Sequence, residues 1–344
     1  MNSKINTFSI WLLALMTLVS AIILIGGYTR ISDSGLSITE WLPVSGILYP
    51  ISETAWNIEF DKYKLIDEFM LVNSSMTLQE FKVIYFWEWF HRAFARLIGA
   101  AYLIPLCFLL FYKKIEKKYY KNVITIGVLL LAQAVIGWYM VKSGLSERVD
   151  VSQYRLALHL TMAFIILGLT FYTLVSYLLD NKLINNNSIF IMKYKSLLII
   201  LFIFICFQIS YGAFVSGTHS GLLYNTWPLY NGNILPFIEN TQMRWIINFF
   251  ENGEYIIFIH RTFAMVILFL LFYLNYSIIM NRKINSYYPV IIFFNITFVL
   301  QIVLGVSMTY LNIPWHLALL HQGNSILVFL LSLFMYQLSL KSPQ

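Results

Sequence analysis

Eight stretches of this chain are so long and so poor in charge that they read as membrane-spanning helices. They run roughly over 9–29, 83–112, 122–141, 156–179, 196–215, 255–280, 287–311 and 315–338. An α-helix needs about 20 apolar residues to cross the hydrocarbon core. Within that core every backbone N–H and C=O must find its partner inside the protein, which leaves helices and closed barrels as the available structures. Composition agrees, with 59% of residues hydrophobic and 11% charged, against about 25% charged in ordinary soluble chains. The first run, Phe8 to Tyr28, outlasts the apolar core of a signal peptide. Thr29-Arg30-Ile31 is no small-residue cleavage site, so the run reads as a retained span. Cys107 and Cys206 both fall in apolar runs, which makes a disulfide framework or a zinc site a poor expectation.

The formal net charge of +7 invites a nucleic-acid reading until the charges are placed. With eight spans, the N-terminus, the loops 113–121, 180–195 and 281–286, and the C-terminus fall on one side. That side carries Lys4, Lys113, Lys114, Lys117, Lys118, Lys121, Lys182, Lys193, Lys195, Arg282, Lys283 and Lys341 against Glu116 and Asp180; twelve cations and two acids leave +10. The rest of the chain holds eleven cations and fourteen acids, leaving −3. Lysine and arginine in short loops mark the cytoplasmic face. The sequence therefore predicts a multi-pass protein of the cell inner membrane with both termini in the cytoplasm. Its charge sorts by membrane side rather than into a basic face, so no nucleic-acid partner is expected.

Two outside segments are long. Residues 30–82 form an acidic insertion that includes Asp61, Asp67, Glu68 and Glu80, and residues 216–253 are rich in Asn, Gly and aromatics. Long loops on one face of a bundle usually cover something. The chain also repeats itself. His91-Arg92-Ala93-Phe94-Ala95 recurs as His260-Arg261-Thr262-Phe263-Ala264, and Gln133, Gly137 and Met140 recur as Gln301, Gly305 and Met308. Leu156-Ala157-Leu158-His159 is echoed by Ala318-Leu319-Leu320-His321, and Ser34-Gly35-Leu36 with Trp41 by Ser220-Gly221-Leu222 with Trp227. Each half holds four spans and enters the membrane in the same direction, as in a parallel repeat. The expected fold is an all-α polytopic membrane protein of two pseudo-symmetric four-helix bundles, 1–180 and 181–344.

Ionisable residues inside spans are costly and mark function by default. His91, His159, His260 and His321 lie within spans, two per half, each about one to two turns from the outer end of an even-numbered span. Haem iron takes axial ligands from opposite faces of the porphyrin, and helix bundles build cofactor sites from facing helices. His91 with His159, and His260 with His321, would form two bis-histidine positions. The alternative for any one of them is a histidine hydrogen-bonded between helices for structural reasons. His219 and His316 sit at loop edges and read as solvated or interfacial.

Glu88 separates the halves most sharply. It stands three residues before His91, on the same helical face, whereas Ile257 occupies the matching position before His260. A carboxylate at one pocket and an alkyl group at the other predict a reactive first site and an electron-transfer or structural second one. The simpler account is an i+4 pair of Glu88 with Arg92. Arg92 and Arg261 would meet haem propionates through charge-assisted hydrogen bonds, or snorkel to headgroups.

Gly27-Tyr28-Thr29-Arg30-Ile31, Ser34-Gly35-Leu36-Ser37 and Trp41-Leu42-Pro43 together resemble the first-loop signature of the haem A synthase family. Glu88-Trp89-Phe90-His91-Arg92 is similar to that family's Glu-x-x-His-Arg motif, and the Gly217–Pro228 stretch and His260-Arg261 extend the likeness to about residues 10–335. The long acidic first loop resembles the proteobacterial and mitochondrial branch. Some relatives carry paired cysteines in outside loops, which this chain lacks there. The resemblance implies an oxidoreductase that converts the C8 methyl of haem O to the formyl group of haem A by successive hydroxylations. It implies substrate haem O between His91 and His159 with Glu88 essential, and a bound haem b between His260 and His321. The partners it implies are haem O synthase, an electron-transfer protein and the assembly of cytochrome oxidase in the lipid bilayer; the oligomeric state stays open, a homo-oligomer included.

Two other functions share parts of this pattern. A non-enzymatic di-haem cytochrome b would use the four histidines but has no need of Glu88 in one half alone. A transporter would also repeat its halves, but it would place ionisable groups near the bilayer midplane, where Arg96 is the only candidate.

Overall fold

A computed structural model describes residues 6–145, 149–184, 192–236, 245–280 and 288–340. Among these, eight helices are long and apolar enough to cross a membrane. In chain order the helices are α1 (Thr7–Ile31), α2 (Glu53–Tyr63), α3 (Asp67–Leu71), α4 (Leu78–Phe111), α5 (Tyr120–Gly144), α6 (Gln153–Asp180), α7 (Lys195–Gly217), α8 (Trp245–Glu251), α9 (Gly253–Met280), α10 (Tyr288–Tyr310) and α11 (Trp315–Leu338). The spans are α1, α4, α5, α6, α7, α9, α10 and α11. Lys4, Arg282, Lys283 and Lys341, counted above for the charge of one face, lie outside the described residues.

Every expected span is met within a few residues, and the largest departure has a local cause. Helix α4 begins at Leu78, five residues before the apolar run, because Thr77 and Glu80 form a capping box. The Thr77 hydroxyl accepts from the Glu80 N–H while the Glu80 carboxylate accepts from the Thr77 N–H at 2.8 Å, satisfying two N-terminal donors at once. At 1.5 Å per residue the 34 residues of α4 reach about 50 Å, well beyond the roughly 30 Å of hydrocarbon. Its first turns meet α2 and α3, and the loop 30–82 folds over them around a core of Ile38, Trp56, Phe60, Tyr63, Phe81 and Tyr85.

The chain divides into two compact units, Ile10–Thr170 and Met1–Ser9 with Phe171–Gln344. In the first, Trp11 Nε1 donates to the Ala101 carbonyl at 2.9 Å, fixing α1 to α4, and the Tyr102 hydroxyl donates to the Val123 carbonyl at 2.8 Å, fixing α4 to α5. In the second, the end of α6 is held by α11. Gln337 donates to the Tyr172 carbonyl at 2.8 Å and to Ser176 Oγ at 2.7 Å, and the rings of Phe171 and Phe334 meet at 6.4 Å. These contacts join the last turns of α6 to α11 within that unit.

Candidate functional site

In the unit Ile10–Thr170, His91 on α4 faces His159 on α6 with ring centroids 6.5 Å apart and planes inclined by 57°. Two metal–imidazole bonds of about 2 Å each, plus the two ring radii, account for that separation with one metal ion between. Both imidazoles are half-buried, and Nδ1 of each is without a protein partner among the described residues. Each ring edge lies against a glycine of a neighbouring span. A Cβ at Gly26 of α1 would stand 2.9 Å from His91 Cε1, and one at Gly137 of α5 would stand 3.0 Å from His159 Cε1. Gln133, one turn before Gly137, donates to the His159 carbonyl at 3.1 Å and comes within 3.3 Å of Nε2.

The second unit holds residues of the same kinds. His260 on α9 and His321 on α11 are close enough to interact electrostatically, and Nδ1 of His321 has no partner among the described residues. Gly212 of α7 faces His260 and Gly305 of α10 faces His321. Gln208 donates to the His260 carbonyl at 2.9 Å, while Gln301 accepts from Asn324 at 2.8 Å, three residues past His321. The sequence repeat exposes Gln133, Gly137, Gln301 and Gly305; Gly26, Gly212 and Gln208 emerge only from the structure. Their signal was present. Gln208 precedes Gly212 by four residues, the spacing of the other two pairs, and Gly26 precedes Gly212 by the same interval that separates Ser34 from Ser220. Ile22 stands where α1 would carry a fourth glutamine.

Glu88 is 2% exposed, and both of its oxygens are engaged. Oε2 accepts from the Ser37 hydroxyl at 2.7 Å and from the Ile38 N–H at 2.7 Å. Oε1 pairs with Arg92 Nη2. The i+4 pair is therefore real, but it is one part of a larger clamp that joins α4 to the loop after α1. Arg92 also donates to the Ile38 carbonyl and to the Glu40 carbonyl, each at 2.9 Å. In the second unit Ile257 packs instead with Tyr224 and Tyr230. Arg261 donates to the Thr226 carbonyl at 2.9 Å and the Tyr224 carbonyl at 3.1 Å, with its guanidinium over the Tyr230 ring. Both arginines brace loop backbone, a duty that the sequence left unassigned.

The donor set suits haem better than a bare ion. Among the described residues no three His, Cys, Asp or Glu side chains gather to hold a metal. Haem iron would ask the protein for two ligands beyond its porphyrin nitrogens; His91, His159 and His321 each hold an unpartnered Nδ1 for that use, whereas both ring nitrogens of His260 lie within 3.4 Å of Gln208 Nε2. Cys107 and Cys206 are free thiols, and His219 and His316 are exposed, as expected for residues at loop edges.

Comparison with known proteins points the same way. The family COX15-CtaA, described as cytochrome oxidase assembly protein, matches residues 9–333. The chain is 38% identical over 329 residues to a protein of Maricaulis maris named "Heme A synthase", covering 96% of this chain and 95% of that one. Proteins of the same name from Pelagibacter ubique, 39% identical over 335 residues, and Wolbachia pipientis, 38% identical over 322, cover 95% and 93% of this chain and 95% and 94% of their own lengths.

Proposed function

Because this chain belongs to the COX15-CtaA family of cytochrome oxidase assembly proteins, we propose that it makes haem A by oxidising the C8 methyl of haem O to a formyl group. Substrate haem O is held between His91 and His159, and haem b between His260 and His321. The observation that carries this division is the fate of one position. Glu88 is a buried, clamped carboxylate at the first pocket, and its counterpart Ile257 lies in an apolar cluster at the second.

Bound haem b supplies one-electron chemistry whose potential its axial ligands tune. The remaining tasks fall to the chain itself. The two histidine pairs orient their ligands through the glycine seats beneath them. Glu88, fixed by three donors, stands ready to take a proton or to stabilise positive charge developing at the methyl carbon. Arg92 and Arg261 follow an iron ligand in sequence and bring positive charge to the pocket rims, where propionates accept charge-assisted hydrogen bonds. The folded 30–82 loop holds Glu88 in place through Ser37 and Ile38.

The same reading makes the two sets of four spans a parallel repeat in the cell inner membrane. The lysine- and arginine-rich face, termini included, is cytoplasmic, and the histidines lie toward the outer face. Haem O synthase upstream, an electron acceptor and cytochrome oxidase downstream complete the setting. Co-expression with a supply of haem O, followed by chromatography of the extracted haems, tests the proposal. Haem A, or retained haem O beside haem b, is the expected result. Haem b alone, at two per chain, would make the protein a di-haem cytochrome and end this reading.

A further inference from the structure

Between Ile38 and Tyr49 the chain runs down the side of α4 and back up. Its carbonyls record the path. Arg92 takes those of Ile38 and Glu40; one turn deeper, Arg96 takes Leu42 at 2.7 Å and Pro43 at 2.9 Å. The return is marked by Trp89 Nε1, which donates to the Ile47 carbonyl at 3.1 Å, and by the Tyr49 ring, 4.8 Å from Trp89 and 6.2 Å from Tyr85. The turn at the bottom is the short 3-10 helix Ser45–Ile47. A Cβ on Gly46 would lie 2.9 Å from Arg96 Nη2, so a glycine lets the guanidinium close over the tip.

Depth follows from the helix. Counting about 20 residues back from Phe111, the length that crosses the hydrocarbon, sets the boundary on this side near Arg92. Arg96 then lies about 6 Å below it, at 1.5 Å per residue. Non-helical backbone at that depth survives only where protein groups satisfy it, which Arg92, Arg96 and Trp89 do for five carbonyls. The side chains suit lipid. From Trp41 to Ser52 there is no charged residue, yet Val44 is 82% exposed, Leu48 76% and Ile51 94%. Trp41 packs on Trp138 of α5 with centroids 5.6 Å apart, an aromatic pair of the kind that sits at membrane interfaces. The position matching Arg96 in the second half, at the interval of His91 and His260, is Met265.

We propose that Trp41–Ile51 is a re-entrant segment whose tip sits among lipid acyl chains, in the leaflet on the side of the 30–82 loop, with Arg96 as its internal anchor. Arg96 thereby has a structural employment unrelated to transport. The inference is independent of the haem chemistry and can fail without it.

The test uses full-length protein lacking Cys107 and Cys206, spin-labelled at single cysteines and reconstituted in vesicles of phosphatidylcholine and phosphatidylglycerol. Collision with oxygen, which partitions into lipid, is compared with collision with a water-soluble nickel chelate. The label at Val44→Cys is expected to match Leu97→Cys, an exposed position at similar depth on α4, with an oxygen-to-nickel ratio below that of Leu103→Cys deeper on the same helix and several-fold above Glu53→Cys on α2. Nickel access at Val44 equal to that at Glu53 overturns the proposal. Protection from both probes, dependent on protein concentration, would assign the face to a second copy and also overturn it. Arg96→Met should raise nickel access at Val44 while leaving Leu103 unchanged; an unaltered Val44 would remove Arg96 as the anchor.

Discussion

Ser37 donates its hydroxyl to Oε2 of Glu88 at 2.7 Å, tying a loop serine to a span carboxylate 51 positions later in the chain. With the Ile38 N–H on the same oxygen and Arg92 on the other, the carboxylate can neither rotate nor lose its countercharge without moving the loop. Its position is set before any substrate arrives.

Glu88→Gln keeps the shape and one acceptor but removes the charge. Haem content per chain should stay at the wild-type value while haem A formation falls by about 100-fold or more, the scale of a lost acid–base group. Ser37→Ala deletes one hydrogen bond to a charged group, worth about 1.5–3 kcal/mol, and should slow conversion by about tenfold. Time courses of extracted haems by chromatography read both, and an active Glu88→Gln protein would remove Glu88 from the chemistry.

The glycine seats predict a graded series. A methyl group at Gly26 would stand 2.9 Å from the His91 ring and one at Gly137 3.0 Å from that of His159, whereas at Gly212 the nearest ring atom of His260 is 3.4 Å away. Overpacking of this kind costs about 1–3 kcal/mol. Gly26→Ala and Gly137→Ala should disturb the low-spin spectrum of the first pocket, and Gly212→Ala should leave the second nearly intact. Electron paramagnetic resonance of each purified variant gives the comparison, and equal effects at all three positions would contradict it.

The spans and the four histidines were legible in the sequence because both obey simple constraints. Twenty apolar residues have one use in a membrane, and an imidazole there needs a reason. Glu88 was legible as a difference between halves, since Ile257 cannot do what a carboxylate does. Its partners were not, because Ser37 and Ile38 reach it only through tertiary folding. Arg96 drew notice only as a weak candidate for a transporter's midplane charge, and its bonds to the Leu42 and Pro43 carbonyls had no sign in the helix pattern. Periodicity on a helix says nothing about which loop returns to it.

Acidity should strengthen the loop cap through Glu68. This α3 carboxyl is 5% exposed, and its Oε2 has no donor among the described residues. Burial first, and then the negative charges of Glu88, Asp33 and Asp150, push it up to about 8, against a smaller opposing effect of the Tyr63 hydroxyl. The folded cap thus keeps a proton that the unfolded chain releases near 4.5. The stability it contributes is complete below that value and is lost as pH rises through about 8. Hydrogen exchange over Glu53–Leu71, corrected for intrinsic rates, should show weaker protection at alkaline than at acidic pH. Glu68→Gln should flatten the difference, and protection that grew with pH would rule Glu68 out as its cause.

The seat of His321 depends on a neighbour that touches no ligand. Asn324, 7% exposed, donates to the Gln301 side chain at 2.8 Å and to the Thr297 carbonyl at 2.8 Å, so it joins α11 to α10 one turn from His321. Asn324→Leu keeps the branched shape but strands Gln301 Oε1, the Thr297 carbonyl keeping its backbone bond within α10, and a buried orphan of this kind costs about 1–3 kcal/mol. Gln301 would then be free to shift away from the His321 turn. Haem b should leave this variant several-fold faster than wild type when trapped by excess apomyoglobin, with the first pocket's occupancy unchanged. Asn275→Leu is the control. It breaks the Asn275–Asn295 pair between α9 and α10, which lies about four turns beyond His260 along α9, and should lower thermal stability without hastening haem loss. Equal acceleration in both variants would mean that general loosening of the helices, rather than the His321 seat, governs retention.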